Sequence, residues 1–224
     1  MALSDDQELL QQQYRARFND SESYRNKLWQ ILARHFFQQY IDPSKPVIDI
    51  GCGWGEFANN VESNSKLAMD LNPDSQQKLA SDIQFLNQSC ADRWPLTTAS
   101  VGTVFTSNFL EHLPDKAAVE ATIAEARRCL AADGVLMCMG PNVRLVPGAY
   151  WDFWDHHVPI SDRSLCELLQ LQGFEIVRCV PKFMPYTMSD GKNPPLFFVW
   201  LYLKFPLAWH WLGKQFFVVA KPRS

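Results

Sequence analysis

Apolar residues recur at helical spacing near the start of the chain, at Leu28, Ile31, Leu32, Phe36 and Tyr40, so residues 5–40 read as one or two helices. The run ends in the turn cluster Asp42-Pro43-Ser44-Lys45-Pro46. The period then shortens. Val47 to Ile50 reads as a short apolar strand, followed by a glycine-rich turn and a helix over 56–63. Lys66 to Leu71, Ile83 to Leu86 and Val101 to Thr106 read as the next three strands. Asp115 is placed to cap a helix whose apolar face is Val119, Ile123, Ala126 and Leu130, stopped by Asp133-Gly134. Val135 to Met139 reads as a fifth strand, and Ser161 is placed to cap a helix running to Gly173. Phe174 to Val180 and Gln215 to Ala220 read as the last two strands. Strands alternating with helices imply a parallel sheet covered on both faces, and the final pair suggests an antiparallel hairpin around an insertion. The expected fold is α/β, a doubly wound domain with a helical N-terminal cap.

Composition narrows the class. The 224 residues are 47% hydrophobic and 20% charged, which suits one globular domain with a sizeable core and excludes a disordered chain. No repeat or linker divides it, so a single domain is expected over 1–224: cap 1–45, core 46–180, insertion and closing strand 181–224. Lys plus Arg number 21 against 24 Asp plus Glu, which argues against a nucleic-acid-binding face. The six cysteines form no C-x-x-C pair, as expected of buried free thiols in a reducing compartment. The acidic start, Met-Ala-Leu-Ser-Asp-Asp-Gln-Glu, lacks the regions of a signal peptide. Leu196 to Gly213 is broken by Lys204, Pro206 and His210, short of the roughly 20 apolar residues of a spanning helix. A cytoplasmic protein is expected.

Gly51-Cys52-Gly53-Trp54-Gly55 follows a strand and opens a helix, the place where α/β folds bring ligands close to the backbone. It departs from the dinucleotide pattern G-x-G-x-x-G, since Glu56 stands where the last glycine belongs and would repel a pyrophosphate. Asp49 and Glu56 suit a cationic ligand, an amine or a sulfonium. Glu56 equally suits the positive end of its helix, and both readings stay open. Asp70 follows Asp49 by 21 residues and ends the second strand, where an acid accepts both ribose hydroxyls. The alternative is a solvent-facing turn acid before Asn72-Pro73-Asp74.

Val47-Ile48-Asp49-Ile50-Gly51-Cys52-Gly53-Trp54-Gly55 resembles the first motif of class I S-adenosylmethionine-dependent methyltransferases, and Asp70 matches their ribose acid. Ser89-Cys90-Ala91-Asp92-Arg93-Trp94-Pro95-Leu96 resembles their adenine segment, with Cys90 at a position more often acidic. Ser107-Asn108-Phe109-Leu110-Glu111-His112-Leu113 resembles the motif after the fourth strand, beneath the methionine. The resemblance implies strand order 3-2-1-4-5-7-6 with the last strand antiparallel. It implies S-adenosyl-L-methionine as cofactor, held by Asp49, Gly51, Cys52, Gly53, Gly55, Asp70, Leu71, Cys90, Ala91, Asp92, Ser107 and Asn108. The run Tyr150-Trp151-Asp152-Phe153-Trp154-Asp155-His156-His157 is similar to a subset of bacterial methyltransferases acting in surface-glycan or secondary pathways.

Methyl transfer to a hydroxyl needs an acceptor held in line and a base near neutral pKa. Pro141 to Ile160 lacks clear periodicity and reads as a lid or binding loop. Its His156 and His157 are the first candidates for the base, with Asp152 or Asp155 as orienter; the plainer reading ties the loop to the next helix. His112 is the alternative. Ubiquinone-type O-methyltransferases bind a divalent ion through a Glu three residues before a Glu-His pair. Here Asn108 precedes Glu111-His112, a lost carboxylate, so no metal is assigned. O-methylation of a small-molecule, glycan or lipid-linked acceptor is the leading expectation. A cofactor-binding protein without catalysis and a metal-assisted enzyme are the alternatives; a nucleotide-linked oxidoreductase is disfavoured by Glu56. The aromatic insertion 181–213 reads mostly as a helical cover, and with Lys204, Lys214, Lys221 and Arg223 nearby, 196–213 is open to peripheral membrane contact.

Overall fold

The alternation of side chains along the strands builds two cores, one on each face of a sheet. In the computed structural model, which describes residues 22–186 and 193–223, Ile48, Ile50, Val104, Leu136, Cys138 and Val218 belong to one core. Val47, Phe105, Met137, Met139, Phe217 and Val219 belong to the other. The strands are β1 (Val47–Ile50), β2 (Lys66–Asp70), β3 (Ile83–Asn87), β4 (Val101–Ser107), β5 (Leu130–Pro141), β6 (Phe174–Val180) and β7 (Gln215–Pro222). Their order is β3-β2-β1-β4-β5-β7-β6, with β7 antiparallel to both β5 and β6 and the other pairs parallel. This is the expected order.

The helices are α1 (Glu22–His35), α2 (Glu56–Asn60), α3 (Lys116–Cys129), α4 (Asp162–Leu171), α5 (Leu196–Lys204) and α6 (Pro206–Leu212). Val119, Ile123 and Ala126 of α3 and Leu165 and Leu169 of α4 fill the first core. Leu32 of α1, Phe57 of α2, Leu203 of α5 and Trp209 of α6 fill the second, around a block of aromatic rings. Phe57 stacks on Phe105 at 3.7 Å between centroids, and Phe36 on Phe183 at 4.3 Å. Residues 5–21 of the expected cap lie outside the described residues.

Both expected caps form. Asp115 accepts the Ala118 N–H at 2.8 Å, and Ser161 and Ser164 make a reciprocal capping box. The strand ends shift by a few residues, β5 beginning five residues early at Leu130, and two helices stop short of the sequence reading. α2 stops at Asn60, where Val61 turns extended and is buried. α3 stops at Cys129 rather than at Asp133-Gly134, because the edge of β4 captures the chain: Ser100 N–H donates to the Cys129 carbonyl, and Leu130 pairs with Val101. Among the described residues no helix is long and apolar enough to cross a membrane.

The segment between β5 and α4 is a closed loop. Its ends are joined by Val143 N–H to the Ile160 carbonyl at 3.0 Å. Tyr150 is fully buried beneath it, donating its hydroxyl to the Val158 carbonyl at 2.5 Å and accepting the Ile160 N–H at 3.2 Å. Tyr150→Phe strips both backbone groups of their partner without changing the ring. It is expected to lower unfolding free energy by about 1–3 kcal/mol in urea titrations. A variant as stable as the parent would show that the hydroxyl does not hold the loop.

Candidate active site

β1 and β4 are neighbours at the point where the strand order reverses, so the turns leaving their carboxyl ends share one crevice. Gly51 and Gly53 take positive φ values of 63° and 55°. At Gly51 an added Cβ would lie 2.1 Å from the Phe109 ring, so only glycine lets the β4 turn cross here. Gly53 donates its N–H to Asp70 at 2.8 Å, while the other Asp70 oxygen accepts the Asn72 N–H at 2.8 Å. Burial pushes the Asp70 carboxyl up to about 6, opposed by the N–H groups of Asn72, Gly53 and Leu71. Asp70 is thus a buried acceptor with one bond on each oxygen, not a solvent-facing turn acid.

Asp49 is buried too, and burial raises its pKa well above the usual carboxylate range; a hydrogen bond from the Ala58 backbone opposes this. Glu56 forms an ion pair with Arg25 of α1. Burial raises its pKa and the Arg25 charge lowers it. Its charge is therefore answered by the protein, whereas Asp49 and Asp70 are held by backbone N–H groups. Burial also raises the pKa of the Cys52 and Cys90 thiols, keeping them protonated. Leu71 and Asp92 are exposed beside these buried groups, and Ala91 is half-buried. A basin of about 720 Å³ lies outward of the turn, lined among others by Trp54, Asn59 and Lys78; Asp49, Asp70 and Asn108 do not border it.

The β4 turn begins with Asn108 at φ 49°, an unusual conformation for a residue with a side chain. Its backbone N–H donates to the Met139 carbonyl at 2.9 Å, and its side-chain amide donates to the Ser107 hydroxyl at 3.0 Å. Glu111 follows, its carboxyl buried and its pKa raised by burial, with the neighbouring His112 lowering it. The Glu111 carbonyl accepts two N–H groups from the loop, His157 at 2.8 Å and Val158 at 3.1 Å. The loop is thereby laid across the turn. His112 Nδ1 meets the Asp155 carboxylate at 3.2 Å and its carbonyl at 3.0 Å. Burial works to lower the His112 pKa, but the Asp155 hydrogen bond and the Glu111 and Asp155 charges outweigh it and leave it raised.

His156 is buried, 4.8 Å from the His112 ring between centroids, stacked on Phe153 and edge-on to Tyr150. His157 is exposed. The structure therefore gathers His112 and His156 and leaves His157 at the surface. Glu111, His112 and His156 each offer one ligand atom within 4.8 Å of the others, an arrangement able to hold a metal ion. Sequence reading weighed the Glu111 carboxyl only as a partner of His112 in a metal motif lacking one carboxylate, and did not place it in the interior. The apolar turn around it, Phe109-Leu110-Glu111-His112-Leu113, was the one available sign of burial.

The model of a methyltransferase domain matches residues 21–178. No curated protein matches the chain. Solved structures share the fold. A SAM-dependent methyltransferase from Archaeoglobus fulgidus aligns with TM-score 0.66 and 18% identity, over 90% of this chain and 97% of that one. A TehB-like SAM-dependent methyltransferase from Corynebacterium glutamicum aligns with TM-score 0.60 and 14% identity, over 97% and 98%. The [4+2]-cyclase SpnF aligns with TM-score 0.60 and 16% identity, over 88% and 80%.

The crossing at Gly51 makes a stability prediction. Gly51→Ala combines a positive φ with a steric clash and is expected to cost about 1–3 kcal/mol or more. Gly148→Ala, where an added Cβ meets nothing within 4 Å, is expected to be close to neutral. Equal chemical-denaturation midpoints for the two variants would contradict the close approach of Phe109.

Proposed function

The chain belongs to the methyltransferase-domain family, and from that premise we propose that it methylates a hydroxyl of a small-molecule, glycan or lipid-linked acceptor, with His112 as the base. It is a class I, S-adenosylmethionine-dependent methyltransferase. The observation that carries the base assignment is the double contact of Asp155 on His112 Nδ1. A carboxylate and a carbonyl both draw the proton to Nδ1, which makes Nε2 the basic nitrogen. His112 thus takes precedence over His156, which packs among rings, and over His157, which is exposed.

The cleft fits the cofactor. Asp70 has one bond on each oxygen and retains acceptor capacity for a ribose diol. Asp49 and Asp70 are buried carboxyl groups held by backbone N–H groups, and a cation bound beside them would favour their ionised forms. Asp49, the turn at Gly51, Cys52, Gly53 and Gly55, Asp70-Leu71, Cys90-Ala91-Asp92 and Ser107-Asn108 are the residues that would hold it. When bound, S-adenosylmethionine supplies a methyl group on a sulfonium, an electrophile that needs no covalent help from the protein. What remains for the chain is to exclude water, align the acceptor and accept its proton. The loop closing over the β4 turn serves the first two, and His112 Nε2 the third.

The Glu111, His112 and His156 cluster supports a second reading, in which a divalent ion of the kind held by two histidines and a carboxylate lowers the acceptor's pKa instead. A chelator separates the two. Under the leading reading, methyl transfer to hydroxyl-bearing sugars or prenyl-linked glycans, followed with labelled cofactor, persists in EDTA. His112→Ala then lowers kcat by about 10²–10⁴ with S-adenosylhomocysteine affinity nearly unchanged, and His157→Ala leaves kcat near that of the parent. Loss of activity in EDTA with recovery on adding metal would favour the second reading. Full activity in His112→Ala would remove His112 from the chemistry.

Cofactor binding has its own pH signature. Because the folded pKa of Asp70 is raised, its ionisation weakens the free protein as pH rises from about 4 to about 6. Ribose hydroxyls donate to the ionised form, so S-adenosylhomocysteine affinity is expected to move the opposite way. It should be constant above pH 7 and fall by up to about tenfold per pH unit below 6. Asp70→Asn should flatten the profile and weaken binding at pH 7.5 in calorimetric titrations. An affinity that stays level from pH 7.5 to 5 in the parent would contradict a ribose contact at Asp70.

A further inference from the structure

The insertion between β6 and β7 buries only part of the apolar surface it carries. Val199, Leu203 and Trp209 face the protein, and the Trp209 indole donates to the Tyr202 carbonyl at 2.8 Å, locking α5 against α6. The opposite faces are apolar and open. Phe197, Phe198, Trp200 and Leu201 are exposed on α5, Leu207, Trp211 and Leu212 on α6, and Phe205 at the bend. Trp211 is 82% exposed. An apolar face of this extent is a binding surface by ordinary expectation.

Charge says what covers it. Residues 181–224 carry six Lys and Arg against one Asp, while residues 1–180 carry fifteen against twenty-three Asp and Glu. From Asn193 to the end there is no acidic residue, and Lys204 and Lys214 flank the apolar face. A second copy docked by twofold symmetry would bring these like charges together with no carboxylate of the same segment to answer them. An anionic lipid surface answers them directly. Nine residues in α5 and seven in α6 are too few to span a bilayer but suit helices lying in its surface.

We propose that the outer face of α5 and α6 docks on an anionic membrane surface and presents the active-site loop to a lipid-borne acceptor. The hairpin and the loop leave one corner of the sheet. Gln215 pairs with Pro141, and Asn142, first in the loop, donates its N–H to the Lys214 carbonyl at 3.1 Å. The loop adds its own exposed aromatics, Trp151 and Trp154, the latter 91% exposed. The docking surface stands on exposure and charge alone. The lipid-borne acceptor rests on the hydroxyl-methylation reading above and deepens it.

The test is flotation of the full chain with vesicles of phosphatidylcholine mixed with phosphatidylglycerol, against phosphatidylcholine alone. The protein is expected to float with the mixed vesicles and to be released by salt. Leu207→Ser with Trp211→Ser is expected to reduce partitioning by roughly tenfold or more. Lys204→Glu with Lys214→Glu is expected to abolish the preference for the anionic vesicles. Neither pair touches the cofactor site, so the melting-temperature rise on adding S-adenosylhomocysteine should be kept, which shows that the variants fold. Equal partitioning of parent and variants overturns the proposal, as does failure of the parent to float. A concentration-dependent dimer in light scattering that the Leu207 and Trp211 changes dissolve would assign the face to a second copy instead. None of these readouts depends on methyl transfer, so a failed base assignment leaves the docking result standing.

Discussion

The site depends on the approach of the Phe109 side chain to the backbone turn at Gly51. The missing Cβ at Gly51 lets the Phe109 ring lie over the end of β1. That contact fixes how the β4 turn leaves the sheet, with Asn108 in a left-handed conformation and anchored to Met139 of β5. Everything beyond is hung from this turn. The Glu111 carbonyl receives two N–H groups of the loop, and His112 receives Asp155. One position without a side chain thus links the glycine turn to the candidate base through a short path of contacts.

The same crevice concentrates buried carboxyl groups at Asp49, Asp70 and Glu111, with Glu56 at its edge. Burying ionised carboxylates is costly, and this chain meets the cost unevenly. Glu56 has an arginine; Asp70 and Asp49 have backbone donors; Glu111 has His112 beside it, whose charge lowers its pKa. With these pKa values raised in the free protein, a cation bound in the crevice would draw the carboxyls towards their ionised forms. The SpnF fold neighbour, a [4+2]-cyclase, shows that the scaffold alone does not choose a chemistry. In the function proposed above, the carboxylates and His112 do.

Where one local rule governed the outcome, the sequence was readable. Period-two strands, the turn acids at Asp115 and Ser161, and an acid at the end of β2 each follow from neighbours within a few residues. The strand order came by resemblance and stands as expected. Residues far apart in the chain were not readable. The end of α3 was misplaced because Val101, distant in sequence, captures Leu130. Asp155 was weighed as orienter, but its partner His112 lies 43 residues away, and no local pattern says which imidazole it meets. His156 and His157 are adjacent and chemically alike, and it takes the bonds of His157 and Val158 N–H to the distant Glu111 carbonyl to lay the loop so that one is buried and the other exposed. The aromatic insertion read mainly as cover because composition shows how much apolar surface a segment has, not which face finds a partner.

The sheet divides its labour at the reversal between β1 and β4. On one side β1, β2 and β3 end in short turns, and the glycine turn after β1 donates an N–H to the carboxylate that ends β2. On the other, β5 and β7 end in the long loop and the α5–α6 hairpin, tied to one another at Asn142 and Lys214. The first side is constrained by the close approach at Gly51 and by buried carboxyl groups, so a change there disturbs the fold itself. The second is attached to the sheet by strand ends and a few backbone bonds, so its surface can differ without moving β1 or β4. In the function proposed above, cofactor binding and acceptor choice are therefore separable. Only the turn from Asn108 to His112, which touches Gly51 on one side and the loop on the other, has to satisfy both.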